Sequence, residues 1–345
     1  MVTYNSRVYN VRRQYLYQDV IELYESDSTL MNNFTPQMNF VGERAVDAGG
    51  VSRDMFSGFW EVAYLQIFDG GCSLIPAVHP QVDMTKFPIL GMVLSHGYLT
   101  CGFLPLRIAF PAIASCLLGP TVRIPDEILL ESFLDYLVHY EMKTVKDALC
   151  AFSTGQFPPN LISKLTTLLS RYGCRSLPKP ESVKRLILEV ARHEFMIKAA
   201  GATCAMHAGV PEEHKSFWSK YSVEELYGIY KSLNGSPDKV IERILEPPEM
   251  SANEERVFGY FMQFIGSLDL DELRLFMCFI TGSSVMLNTG IRVIFNGSTG
   301  AARLPIAHTC SSAVELPSTY ATYPDFAHDF KCVLKSEYGW LMDAV

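Results

Sequence analysis

The amino-acid sequence predicts an α+β protein of two lobes: a large, mainly helical first lobe and a small mixed α/β second lobe, joined by a short hinge. Three observations predict it. Apolar residues recur at helical spacing through most of the first 240 positions. A proline pair then interrupts the chain at Glu246-Pro247-Pro248-Glu249-Met250, where fixed φ angles and missing N–H groups stop a helix. Beyond residue 280 the chain turns to short β-branched runs separated by Asn-Gly and Gly-Ala, the pattern of strands and tight turns. The expected division is 1–246, a hinge at 247–250, and 251–345. The length, 345 residues, is more than one core usually serves.

Each element has its own signal. Residues 8–24 mix short strand and helix signals, and 38–41 reads as a strand. A loop rich in glycine and charge follows at 42–50. Phe56, Phe59, Trp60, Ala63, Tyr64 and Ile67 then fall on one face of a helix, with Gly70 and Gly71 expected to end it. Pro125, Pro158-Pro159 and Pro180 open three further helices. After the prolines, Ser251 with Glu254 and Asp269 with Glu272 are capping-box pairs, and Gly282 closes the second of those helices. Residues 291–295, 304–310 and 314–316 read as strands, and a last helix runs from about 324 to 340.

Composition excludes several classes of function. Hydrophobic residues make up 48% and charged residues 19%, which suits an ordered globular protein rather than a disordered one. The net charge of −8 and the lack of any Lys/Arg cluster argue against a nucleic-acid partner. The apolar stretch 87–116 is broken by Ser95, His96, Gly97, Pro105, Arg107 and Pro111, so no membrane partner is expected. The polar N-terminus carries no signal-peptide pattern. Nine scattered cysteines suggest reduced thiols and a cytoplasmic or nuclear setting.

Few residues have a spacing that chemistry requires. Cys204 and His207 are three apart, and His193-Glu194 is half of a metalloprotease motif whose second histidine would fall at Ile197. No metal and no cofactor is therefore expected, and these residues read as structural. Gly297-Ser298-Thr299-Gly300 lacks the spacing of a nucleophile elbow. What remains is His308-Thr309-Cys310, after a strand and before Ser311-Ser312. An exposed thiol at such an edge is the kind that reacts. On an extended backbone His308 and Cys310 would share a face about 6–7 Å apart, near enough for an imidazolium to favour the thiolate. Thr309 would face away, as packing or hydrogen-bonding support.

Taken together, Phe279-Ile280-Thr281-Gly282-Ser283-Ser284, His308-Thr309-Cys310, Glu315-Leu316-Pro317 and Tyr320 resemble the C-lobe of HECT ubiquitin ligases. Far upstream, Phe40-Val41-Gly42-Glu43 and Asp47-Ala48-Gly49-Gly50-Val51-Ser52-Arg53-Asp54 resemble the N-lobe signature of the same family. Arg12-Arg13 with Leu16 and Asp19 resembles that lobe's opening helix. The resemblance spans nearly the whole chain. It implies a first lobe that receives a ubiquitin-conjugating enzyme and a second that carries ubiquitin as a thioester on Cys310, for transfer to a lysine of a protein substrate. It also implies that a terminal aromatic, here Trp340, docks near the cleft. Gly49 and Gly50 read as architectural, permitting a tight turn.

The sequence also departs from the family. Ser311-Ser312 stand where Phe-Asn is common, one extra residue separates Pro317 from Tyr320, and five residues follow Trp340 rather than about three. Residues 125–240 are helical and lack the strand-and-glycine pattern of the enzyme-binding subdomain, as in the family's divergent helical branch. Two alternatives stay open: a catalytically weak or inactive binding module of the same fold, and a thiol hydrolase in which His328 would serve Cys310.

Overall fold

The computed structural model describes residues 7–27, 29–43, 49–155 and 157–336. In chain order these form β1 (Val8–Val11), α1 (Leu16–Ser26), β2 (Gln37–Phe40), α2 (Gly50–Ile67), β3 (Phe68–Gly70), β4 (Leu74–Pro76), α3 (Phe87–Cys101), α4 (Phe110–Leu118), α5 (Asp126–Tyr136), α6 (His139–Thr154) and α7 (Pro159–Arg171). There follow α8 (Val183–Arg192), α9 (Ala200–Gly209), α10 (Glu212–Trp218), α11 (Val223–Leu233), α12 (Pro237–Ile241), β5 (Ile244–Leu245), α13 (Ala252–Gly266), α14 (Leu270–Thr281), β6 (Ile291–Asn296), β7 (Ile306–His308), β8 (Ala313–Pro317) and α15 (Tyr323–Lys335). The architecture is α+β, with helices through the N-terminal and central chain and a small mixed sheet near the C-terminus. No helix among the described residues is long and apolar enough to cross a membrane.

The chain divides into two compact units, and the site lies in the one formed by Met1–Glu61, His96–Leu104 and Lys231–Val345. In it β1 and β2 pair in parallel, Val8 against Gln37. The sheet order is β5-β6-β8-β7; the first three strands run parallel and β7 antiparallel to β8. Phe261, Phe264, Phe276, Phe326 and Phe330 fill the core beneath it. Both expected capping boxes form: Ser251 accepts from Glu254 N, and Asp269 from Glu272 N. Such caps satisfy amides that a helix start leaves unpaired, typically worth about 1 kcal/mol each. Gly282 ends α14 at φ 73°, a left-handed conformation that favours glycine.

Two details differ from the sequence reading. Val240 and Ile244, which precede the proline pair, pack in the same core as α13 and α14, and β5 pairs with β6. Residues 247–250 therefore connect two elements of one core. In addition, Gly70 and Gly71 do not cap α2. That helix ends at Ile67, and the glycines make the turn of the β3–β4 hairpin. Gly70 has φ 141° and would place a Cβ 2.3 Å from Ser73 O.

The second unit, Val62–Ser95 with Pro105–Tyr230, is helical apart from that hairpin. Two of its buried polar clusters are bonded through their side chains. Ser95 Oγ lies 3.0 Å from His214 Nδ1 and accepts from Trp218 Nε1 at 2.8 Å. Glu141, almost wholly buried, accepts from Tyr172 Oη at 3.0 Å and pairs with Arg171. Gly91 and Gly209 let α3 and α9 touch, since a Cβ at either would fall 1.9 Å from the opposing carbonyl oxygen.

Candidate active site

The strand expected over 304–310 is shorter in the structure. β7 stops at His308, and Thr309–Ser311 form one turn of 3-10 helix. Cys310 is exposed on this turn. The shared-face geometry expected for His308 and Cys310 on an extended backbone does not arise, because the backbone curls between them. The turn closes on Ser312 at φ 48°, ψ 53°, the one non-glycine residue with positive φ among the described residues. That conformation costs roughly 1 kcal/mol for a side chain with a Cβ, and Asn tolerates it better than most. The family's Asn at this position fits the same backbone, so Ser312 keeps the conformation with a less suited residue. β8 follows at once and pairs with both neighbours, which fixes the turn at the sheet's end.

His308 is held by the sheet. Its Nε2 lies 3.2 Å from Glu315 Oε2, and Glu315 Oε1 accepts from Asn296 Nδ2 at 2.9 Å. The Asn296 amide, with His308 second, holds the Glu315 carboxyl below the usual glutamate range. Tyr320 is buried in the core below, where its hydroxyl donates to Arg303 O at 2.7 Å. It supports the sheet and does not line the thiol.

The residues of the two distant signatures meet at Cys310. Arg53, on the first turn of α2, donates from Nε to Thr281 O at 2.7 Å and from Nη2 to Thr309 O at 2.8 Å. One turn on, Ser57 Oγ donates to Gly282 O at 3.4 Å and accepts from Ser284 N at 3.2 Å. Gly50 abuts the thiol's turn: a Cβ there would fall 2.8 Å from Thr309 Oγ1, 3.2 Å from Cys310 N and 3.3 Å from Cys310 Sγ. Gly282 is equally tight, with Gly50 O 2.6 Å from where its Cβ would stand. Glycine at 50 is thus explained by a close approach to Cys310 rather than by a tight turn. Behind this contact Arg13 joins the signature's two ends, donating to Glu43 Oε1 at 2.7 Å and to Asp54 Oδ2 at 2.6 Å, with its guanidinium 4.0 Å from the Phe40 ring centre.

The sequence alone did not identify Arg53 and Ser57 as partners of the Cys310 region. Their bonds run to main-chain oxygens more than 200 positions away, and no local pattern encodes that. Trp340 and Asp47 lie outside the described residues. Exposure does not single out Cys310, since Cys72, Cys150, Cys204 and Cys332 are also exposed. Cys116 and Cys278 differ, because burial pushes both thiols up. His328 faces Cys332, its Nε2 3.6 Å from that Sγ. Among the described residues no group of three or more His, Cys, Asp and Glu side chains is placed to hold a metal. His207 Nδ1 instead meets Cys116 O at 2.8 Å.

Part of the chain is similar to a known protein family. Residues 222–340 match the family described as HECT-domain (ubiquitin-transferase). The chain is 26% identical over 360 aligned residues to a Neurospora crassa protein named E3 ubiquitin-protein ligase TOM1-like, with 91% of this chain aligned. The chain spans only 8% of that relative's length. The matched segment takes in α12, α13, α14, all four strands of the β5-β6-β8-β7 sheet and the Cys310 turn, so this part of the chain is similar to a HECT-type domain.

Proposed function

We propose that this chain is the ligase module of a ubiquitin-protein ligase, with Cys310 as the residue that carries ubiquitin. The Cys310 thiolate attacks the thioester carbonyl on a ubiquitin-conjugating enzyme and expels that enzyme's thiolate. A substrate lysine amine then attacks the new thioester, forming an amide and releasing the Cys310 thiol. No metal or cofactor enters either step. The observation that carries this reading is the convergence of three separated sequence signatures, 49–54, 281–284 and 308–310, on one exposed thiol. His308 and Thr309 support the turn, and Trp340 is assigned to thioester positioning. The setting would be the cytoplasm or nucleus.

The chain before α12 supplies the lobe that receives the conjugating enzyme, and 251–345 the lobe that bears the cysteine. Because Val240 and Ile244 pack with the second lobe, α12 and β5 move with it and the pivot falls before α12. Glycines inserted ahead of α12 would then alter transfer rates, whereas the same insertion at 247–250 would leave them unchanged; the reverse result returns the pivot to the prolines.

Incubation with ubiquitin, activating enzyme and a panel of conjugating enzymes should yield an adduct that a thiol reductant removes. Cys310→Ala should abolish it. The all-helical segment from α5 to α11 favours a second reading, a binding module that keeps the fold without transfer. Failure of every conjugating enzyme to charge the chain would select that reading.

A further inference from the structure

The two transfer steps place different demands on the Cys310 turn. In the first, the conjugating enzyme brings a thioester already oriented by its own active site, and the ligase need only present a thiolate. In the second, that enzyme is no longer needed, and the ligase's own residues must aim the thioester carbonyl at the incoming amine. A lobe that moves between two stations cannot supply that aim unless something fastens the turn, and loss of orientation is costly in a reaction that depends on near-attack geometry.

Arg53 is built for fastening. Its planar fork reaches two carbonyls at once, Thr281 O at 2.7 Å and Thr309 O at 2.8 Å. The first ends α14 and the second belongs to the residue just before the thiol. Two parallel bonds from one rigid group fix orientation as well as distance. Gly50 closes the other side, leaving no space for a Cβ beside Thr309 and Cys310. Cys310 stays exposed in this seated state, so the turn is held while the sulfur remains open to solvent.

We infer that Arg53 is a positioning residue for lysine transfer: it seats the Cys310 turn on the amino end of α2 during the second step. This rests on the thioester reading given above. Arg53 acts through the main chain of Thr281 and Thr309 and is assigned no contact with ubiquitin or the acceptor.

The test separates the two steps in single-turnover assays on the full 345-residue chain. Charging is followed as the reductant-sensitive adduct, and discharge is followed after the charged protein is mixed with free lysine or a lysine peptide. Arg53→Ala should charge within about twofold of the parent yet discharge roughly tenfold or more slowly. Arg53→Lys, which reaches one carbonyl but not both, should fall between. Gly50→Ala attacks the same contact from the other side, pressing the turn away while placing a good helix former on α2. It should reproduce the slow discharge with Arg53 intact. Equal slowing of charging and discharge, with a lowered melting temperature, would reduce Arg53 to a structural role and overturn the inference. Unchanged discharge in Arg53→Ala and Gly50→Ala would overturn it too, with the thioester reading left standing. A parent chain that never charges would remove both.

Discussion

The first turns of α2 and the helical unit of Val62–Ser95 with Pro105–Tyr230 both rely on polar bonds inside a packed interior, but they spend them differently. At α2 the bonds end on main-chain atoms: Arg53 on Thr281 O and Thr309 O, and Ser57 on Gly282 O and Ser284 N. In the helical unit two of the buried clusters run from side chain to side chain, Ser95–Trp218 and Glu141–Tyr172. A bond to a backbone carbonyl constrains only the donor's identity. The partner position is constrained through conformation, as at Gly282, or through space, as at Gly50. The site is therefore written in a few short motifs, whereas the helical unit is written in paired choices that can change together.

The largest expected effect tests whether the signature is a structural brace as well as a site. Arg13 serves Glu43 and Asp54 together, with those carboxylates nearly covered. Arg13→Ala removes the guanidinium that the two carboxylates share and should cost roughly 3 kcal/mol in denaturant unfolding. A loss below about 1 kcal/mol would show that the clip is solvated and the brace idle. In the helical unit, Ser95→Ala strips Trp218 Nε1 and His214 Nδ1 of a shared partner in a fully buried place. The expected cost is about 2 kcal/mol, with the Cys310 adduct still formed. Loss of the adduct at unchanged folding would break the comparison, by tying that network to the chemistry.

A smaller effect concerns pH. Glu315 is held below its usual range by Asn296 and then His308. Its contribution is present above the ordinary glutamate value near pH 4.3 and is lost as pH falls through the lower folded value. Melting temperatures of the parent and Glu315→Gln should therefore differ at pH 7 and converge as the pH approaches 3. A gap constant across that range would mean the carboxylate contributes nothing through ionisation.

Much of the framework was legible in the sequence because its causes are local. The capping residues Ser251 and Asp269, the stop at Gly282, the apolar stripe on α2 and the α+β class all follow from spacing and side-chain type. The Cys310 turn was legible only as a motif. The extended backbone expected for 304–310 holds only through His308, and the curl at Thr309–Ser311 depends on Ser312 entering the left-handed region, which Ser seldom does. The hinge was read from Pro247 and Pro248, which do end one element and precede another. Their neighbours Val240 and Ile244 join the later core through contacts that no local pattern reveals. Arg53 was visible inside a signature, and its partners were not.

Mapping the ubiquitin-bearing side chain tests the central claim most directly, because five cysteines are exposed and one is assigned the chemistry. Cys310→Ser, charged under the same conditions, should trap an oxyester that survives thiol reductant, and peptide mass spectrometry should place the ubiquitin remnant at position 310. A remnant at Cys72, Cys150, Cys204 or Cys332, or a reductant-sensitive adduct persisting in Cys310→Ser, would contradict the account.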